Sequence, residues 1–365
     1  MHLSQKNRET VDACRYCWMC RHICPLGNAT GQERNTARAR ALGLSMVLRE
    51  TETLENVIGN VYECSLCGAC TKECLTGWNP VAMMLEVRCQ AALEGVLPDN
   101  IRKLLNNIGK TGSIYAAQTL APQLVKEIES LPPSADTLLF LGQHALYKNP
   151  NGAIAAIRLL KKAGVNFTVH KDEPDSGFAL HFLAGAAEET RKAMQNCAKR
   201  LNDFKTVIAY EPDDAKLFLR EYKEWNIAHT AEVKTWTTFL ADLLDSGTLK
   251  PKKSDKTYTF QDPAALARDL DETQAARKIL SACGVIREVL LHGKDTVLAG
   301  HAVMTEYLPE TMTLVAENRW NDAVNTDADV LITASSAEYA ALKNTQPKTI
   351  ELLSLEEVLL RCCST

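Results

Sequence analysis

Two rhythms of apolar residues divide the chain. Up to about residue 100 they recur three and four positions apart, as in residues 36–49, 53–62 and 80–94, the period of a helix with one buried face. Pro80 at the start of the third run and Gly95 beyond its end mark the limits of a helix there. Beyond residue 135, short continuous apolar runs take over. Residues 137–141, 166–170 and 206–210 read as strands, and 153–160 and 188–201 between them read as helices. Continuous apolar strands separated by helices predict a buried, largely parallel sheet. The expected class is therefore α/β with an N-terminal all-α part.

The strand-and-helix unit also repeats. Residues 207–219 and 330–342 each read as a strand, a turn and a helix start, and 236–244 shares its apolar rhythm with 353–360. Lys250-Pro251-Lys252-Lys253-Ser254-Asp255 is a polar seam between the copies, and breaks at 110–113 and 131–135 set off a connector. The expected organisation is a helical domain over 1–100, a connector over 101–135, and two tandem related α/β lobes over 136–249 and 256–365.

The chemistry is concentrated in the helical part. Cys14, Cys17, Cys20 and Cys24 repeat, after thirty-nine intervening residues, as Cys64, Cys67, Cys70 and Cys74. Each run is C-x2-C-x2-C-x3-C, the spacing that holds [4Fe-4S] clusters in two-cluster ferredoxins, where the fourth cysteine serves the other cluster. That pattern groups Cys14, Cys17, Cys20 and Cys74 in one ligand set and Cys64, Cys67, Cys70 and Cys24 in the other. Structural zinc normally shows separated C-x2-C pairs, and two complete quartets fit it poorly. Disulfides fit less well, because the polar start Met1-His-Leu-Ser-Gln-Lys6 has no apolar leader core and points to a reducing compartment. The long helical insert between the quartets implies an α-helical ferredoxin domain. Gly68 and Ala69 keep the second loop small, and Trp18 is placed to shield a cluster from water. Cys89, Cys197, Cys283, Cys362 and Cys363 read as packing or incidental residues.

At 365 residues, 46% hydrophobic and 24% charged, the chain can bury substantial cores. Its net charge of −4 gives no general attraction to nucleic acid or anionic lipid. No apolar run is long enough to span a membrane, so membrane association is expected only peripherally, through a partner, and the expected location is cytoplasmic or at the inner face of the membrane. Arg21, His22, Arg34, Arg38, Arg40 and Lys72 lie near the cysteines in sequence and are either solvated charges or a docking rim for an acidic partner. Gly142, Gly164, Gly177 and Gly185 form no G-x-G-x-x-G, so nicotinamide binding has no support. His292 and His301, flanking a strand-like 296–299, read as packed or exposed rather than as ligands.

A helical two-cluster domain followed by two α/β lobes resembles the iron–sulfur subunits related to heterodisulfide reductase, anaerobic glycerol-3-phosphate dehydrogenase and glycolate oxidase. After Cys74, Thr76-Gly77-Trp78-Asn79 is similar to the family's Cys-Pro-x-Gly-Val-Asp run, with Leu75 in place of the proline. Weaker landmarks follow in order at 139–142, 163–164, 173–177, 261–263 and 328–333. The resemblance implies lobes of the Cys-Cys-Gly type, whose cysteine positions here hold Gln143, Asp175, Ser176, Glu211 and Asp214 in the first lobe and Ala264, Leu298, Ala299, Ala334 and Ala337 in the second. Without thiolates, these degenerate lobes are expected to hold no cluster.

The function so implied is a non-catalytic electron-transfer subunit with two [4Fe-4S] clusters in an anaerobic flavoprotein oxidoreductase. FAD or FMN would sit only on a partner, a flavoprotein dehydrogenase or reductase subunit, with a further electron carrier beyond it. The alternative is an enzyme with a non-cluster metal or substrate site at Asp175, Glu211 and Asp214, near His170 and Glu173. Hard oxygen and imidazole groups suit Mg, Mn or non-haem Fe.

Overall fold

A computed structural model describes residues 3–364 of the protein. Its N-terminal part is helical, as the apolar rhythm predicts. Helices Gln5–Ala13, Ala37–Leu48, Leu54–Tyr62 and Pro80–Glu94 bury Val11, Leu44, Ile58, Met83, Met84 and Val87 in one cluster. Local sequence sets their limits. Thr36 and Asn79 cap two of them by accepting from the N–H groups of Ala39 and Ala82, and Gly95 at φ +72° ends the last in the left-handed region. That region costs other residues about 1–2 kcal/mol.

Two parallel sheets follow. Strands β1 (Thr137–Phe140), β2 (Thr206–Ala209) and β3 (Glu232–Thr235) pair in that order. Strands β4 (Thr257–Gln261), β5 (Val285–Ile286), β6 (Val330–Thr333) and β7 (Glu351–Ser354) pair in the order β5-β4-β6-β7. Residues 166–170, expected as a full strand, give a single parallel bridge from Thr168 to Leu138. Because Leu138 also faces Val207 of β2, that bridge lies on the free side of β1, the side that β5 takes beside β4. Both sheets thus share one strand order, and the sequence repeat at 207–219 and 330–342 falls on the equivalent strands β2 and β6.

The sheets are not separate bodies. Leu139, Ile208, Trp236, Tyr258, Phe260, Ile332 and Leu353 belong to one buried cluster. Helix Pro150–Lys162, which follows β1, packs on Leu355–Ser364, which follows β7; Trp236–Asp245, after β3, packs on Ala275–Cys283, after β4. The two helix pairs are the same contact with the roles of the sheets exchanged. The seam is strapped down as well: the N–H of Lys252 donates to Cys362 O at 3.0 Å and that of Ser254 to Cys283 O at 2.8 Å.

The connector is equally committed. Its helices are Asp99–Thr111, whose Ile101, Leu104 and Ile108 join the N-terminal cluster, and Pro122–Glu129, whose Leu124 and Ile128 join the sheet cluster. Residues 296–299 form no strand. Their backbone is taken by side chains instead: Arg268 Nη1 donates to Thr296 O (2.6 Å), Gln261 Nε2 donates to Val297 O (3.0 Å), and Glu338 accepts from the Ala299 N–H (3.3 Å). The helical part docks through helix Phe178–Ala184, which lies on Pro80–Glu94. Tyr62 donates its hydroxyl to Leu183 O (2.8 Å), and Tyr307 donates to Tyr62 O (2.6 Å). Gly185 permits the approach, since a Cβ there would lie 2.3 Å from Leu85 O. No helix among the described residues is long and apolar enough to cross a membrane.

Candidate iron–sulfur site

Both cysteine runs begin where the chain turns between helices, the second continuing through the short helix Ala69–Glu73 that carries Cys70, and both turns share a backbone signature. The residues two and four positions after the leading cysteine have positive φ: Tyr16 (+52°) and Trp18 (+72°) in the first run, Leu66 (+56°) and Gly68 (+75°) in the second. Left-handed residues set into an otherwise right-handed turn gather backbone N–H groups into a concave, anion-binding surface. The Leu66 N–H lies 3.5 Å from Cys64 Sγ, and the Tyr16 N–H favours the Cys14 thiolate in the same way. Gly68 takes its turn without strain, as its small size suggests. Trp18 stands at the matching position of the first loop at a cost of about 1–2 kcal/mol.

Cys24, Cys64, Cys67 and Cys70 line one cavity of about 340 Å³, with Arg40 in its wall. Cys24 comes from the first run and the other three from the second. Burial pushes the Cys24 thiol up to about 11, against the pull of Arg40. Burial pushes Cys70 well up too, and Cys64, Cys67 and Cys24 add to the effect. Thiolates gathered in a small apolar cavity repel one another and need a cationic centre to take up their charge. An all-thiol donor set around such a space fits a cubane. Among the described residues, no three His, Cys, Asp or Glu side chains close to the spacing of a ligand set for a metal ion.

Cys14, Cys17, Cys20 and Cys74 form the other neighbourhood. Burial raises Cys14, and the nearby Cys74 and Cys17 raise it further; burial also raises Cys20, with Cys14 and Cys17 adding to it. Cys74 is the exception. Burial pushes it up, but the Thr76 hydroxyl, 3.2 Å from its sulfur, and the N–H groups of Thr76, Trp78 and Gly77 outweigh that and hold it below the usual thiol range. Cys74, from the second run, is thus a neighbour of Cys14. Cys20 in turn raises Cys70, so the two neighbourhoods approach each other there.

The first neighbourhood reaches the surface. Cys17 is exposed, and Tyr16, Trp18, Met19 and Leu75 around it are exposed too. Trp18, expected to cover a cluster, is 47% exposed, with the guanidinium groups of Arg38 and Arg21 4.2 and 5.1 Å from its ring centroid. The basic residues divide. Arg34 pairs with Glu63, Arg38 with Glu33, and Lys72 with Glu73 and Asp295. Arg40 is buried. Arg21 and His22 stay exposed, with no carboxylate partner among the described residues.

Two arginines that the sequence pattern does not single out hold the second loop. Arg88, fully buried, donates to Cys64 O (2.6 Å), Val61 O (3.0 Å) and Phe182 O (2.8 Å). A signal for it exists, because it sits among Met84, Val87 and Ala91 on the buried face of Pro80–Glu94. Arg268 donates from Nε to Cys67 O at 2.7 Å, and nothing in its surroundings in sequence marks it.

Asp175, Glu211 and Asp214 do come together, in a cavity of about 510 Å³ that Gln143 and Ser176 also line. It lies beyond the carboxyl ends of β1 and β2, where the chain leaves the sheet in opposite directions and open α/β sheets bind ligands. Each carboxylate is engaged by the chain itself. Ser176 donates to Asp214 (2.5 Å), the Gly177 N–H to Asp175 (3.0 Å) and the Ser336 N–H to Glu211 (3.2 Å). Burial raises Asp175 to about 6, Asp214 to about 7 and Glu211 well above the carboxylate range. Glu173 caps the N–H groups of Leu141 and Gly142 (2.8 and 2.6 Å), and His170 packs on Phe204.

In the second sheet Ala264, Leu298 and Ala337 line a cleft of about 700 Å³ that reaches Cys67, while Ala299 and Ala334 are buried. His301 accepts from the Met304 N–H (3.3 Å), and His292 Nδ1 lies 2.8 Å from Val289 O. Both histidines have structural partners.

Residues 10–78 match the family described as 4Fe-4S dicluster domain. A dihydromethanophenazine:CoB–CoM heterodisulfide reductase component from Methanosarcina mazei is 26% identical, over 88% of this chain and 85% of its own. The corresponding component from Methanosarcina acetivorans is 27% identical, over 89% and 86%. A hypothetical protein from Helicobacter pylori, known from its crystal structure, shares the fold with a TM-score of 0.55 at 12% identity, over all of this chain and 74% of its own. The chain is similar over most of its length to the iron–sulfur subunits of heterodisulfide reductase and carries a 4Fe-4S dicluster match in its helical part.

Proposed function

We propose that the chain is an electron-transfer subunit with two [4Fe-4S] clusters, one held by Cys14, Cys17, Cys20 and Cys74 and the other by Cys24, Cys64, Cys67 and Cys70. The exchange of fourth cysteines between the two runs carries this reading: Cys24 lines a cavity with three thiols of the second run, and Cys74 neighbours Cys14. A cubane, when bound, gains and loses single electrons. The second neighbourhood includes the buried Cys24, whereas the first reaches the surface at the exposed Cys17, an arrangement suited to passing electrons from a docked partner inward.

The exposed face of the first neighbourhood, with Tyr16, Trp18, Met19 and Leu75 beside Arg21 and His22, offers apolar contact and the positive charge of Arg21, which has no carboxylate partner among the described residues. A partner with an acidic surface complements it. We assign that partner as a flavoprotein dehydrogenase or reductase subunit bearing FAD or FMN, with a further electron carrier completing the chain. The Methanosarcina relatives support assembly with other chains, since each is one subunit of a reductase. In this reading residues 1–100 are the ferredoxin-type domain, 101–135 the connector, and 136–249 and 256–365 degenerate Cys-Cys-Gly units. The location is cytoplasmic, with any membrane association made through a partner.

The enzyme alternative has one observation in its favour, the cavity at Asp175, Glu211 and Asp214. It ranks second because all three carboxylates already accept hydrogen bonds from the chain. Anaerobic purification from the native source tests the choice. A co-purifying flavin-containing chain, whose flavin is reduced or oxidised through this protein, supports the electron-transfer reading; a lone chain that turns over a substrate unaided overturns it.

A further inference from the structure

Arg40 stands in sequence among surface charges, yet it is 2% exposed. Its Nε donates to Asn60 O and its Nη1 to Asn35 O, both at 2.8 Å. The same Asn35 carbonyl lies 3.1 Å from Cys24 Sγ, which places the guanidinium beside a thiol of the second neighbourhood. Nη2, also buried, has no partner among the described residues, as is true of Nε of Arg88 and Nη2 of Arg268; of the three arginines, only Arg40 lines this cavity. The side chain forms part of the wall of the cavity shared by Cys24, Cys64, Cys67 and Cys70.

A buried donor left unpaired is costly, more so when it is charged. Two carbonyls fix the plane of this guanidinium, so Nη2 cannot turn away to find water. An acceptor occupying the cavity satisfies it. We infer that Arg40 Nη2 donates a hydrogen bond to a sulfur of the cluster held by Cys24, Cys64, Cys67 and Cys70, and thereby raises that cluster's reduction potential. The inference rests on the cluster reading above. Its physical basis is simple: reduction adds one negative charge, hydrogen bonds to the sulfurs and net charge are among the factors that set the potential, and a fixed, buried cation stabilises the added charge more than one in solvent would. Arg38, beside the first neighbourhood, differs in having its guanidinium engaged by Glu33 and by Tyr16 O.

The test uses the full chain, loaded anaerobically, as wild type, Arg40→Met and Arg40→Lys, with Arg158→Lys, an exposed arginine paired with Glu127, as control, and with Arg268→Lys and Arg88→Lys to trace any nitrogen coupling to its arginine. Iron and sulfide analysis comes first; a wild type without cubanes overturns the cluster reading itself. In redox titrations followed by EPR, Arg40→Met is expected to lower the reduction equilibrium of one cluster about tenfold, or about 59 mV for one electron, and to leave the other unchanged. In protein labelled with guanidino-15N arginine, pulsed EPR is expected to show nitrogen coupling to one reduced cluster, lost in Arg40→Lys and kept in Arg268→Lys. An unchanged potential in an Arg40 variant that retains both cubanes overturns the inference. If neither Arg40 variant loads, labelled wild type beside Arg268→Lys and Arg88→Lys decides: coupling kept in both supports the inference, and coupling absent from wild type, or lost in either variant while both cubanes remain, overturns it.

Discussion

Arg268 Nε donates to the carbonyl oxygen of Cys67 at 2.7 Å. A residue just beyond β4 thereby fixes the backbone of a cysteine in the N-terminal part, and Arg88 does the same for Cys64 from within that part. The cysteine loop is held from both sides of the docking interface. Separating residues 1–100 from the sheets would remove one of those holds and expose Tyr62, Leu183 and Tyr307, so tests of the clusters belong on the intact chain.

Arg268→Met is expected to loosen the second neighbourhood alone. It leaves the Cys67 carbonyl without its donor, at a cost of about 1–3 kcal/mol. Iron release to a chelator should become faster for one cluster and stay unchanged for the other, as followed by the loss of each EPR signal.

Charge reversal at Arg21 is expected to weaken partner binding, more at low salt than at high, because a rim charge is screened over about 10 Å at 0.1 M. Reversal at Lys72 acts differently. Lys72 is already paired with Asp295 and Glu73, so it should disturb the contact between the helical part and the 293–295 turn before it disturbs a partner. Binding measured across a salt series, alongside unfolding of the free protein, separates the two.

The acidic cavity makes a pH prediction. Burial raises Asp214 to about 7, whereas an aspartate in an unfolded chain ionises near 3.9. The folded state therefore binds more protons over that interval. The stability contributed by protonated Asp214 is complete below about pH 4 and is lost as pH rises through 7, at about 1.4 kcal/mol per pH unit. Anaerobic denaturation of wild type should show stability falling between pH 5 and pH 8, and Asp214→Asn should flatten that slope. An equal slope in both proteins contradicts the assignment.

Periodicity made much of the fold legible. The helices around 36–49, 53–62 and 80–94 and strands β1, β2 and β6 fall where apolar spacing puts them, because each buries a regular face. Residues 166–170 look like a strand but form one bridge, and 296–299 form none because Arg268, Gln261 and Glu338 take their backbone groups. No local pattern reveals that competition. The cysteine runs were readable because thiol spacing is itself the chemistry. The roles of the arginines were not, since charge in a sequence does not show burial: Arg40 and Arg34 look alike in the chain, yet one lies in a cavity wall and the other on the surface.

The two-cluster reading stands on the exchange of fourth cysteines, which EPR spin quantification of the reduced, anaerobic Cys24→Ser protein beside Cys67→Ser and Cys20→Ser can decide. Wild type should hold about eight iron atoms in two cubanes. Cys24→Ser is expected to lose or alter the same signal as Cys67→Ser, although it lies in the other run, and to leave intact the signal that Cys20→Ser removes. If Cys24→Ser instead removes the signal lost in Cys20→Ser, each run serves its own cluster and the exchange does not occur.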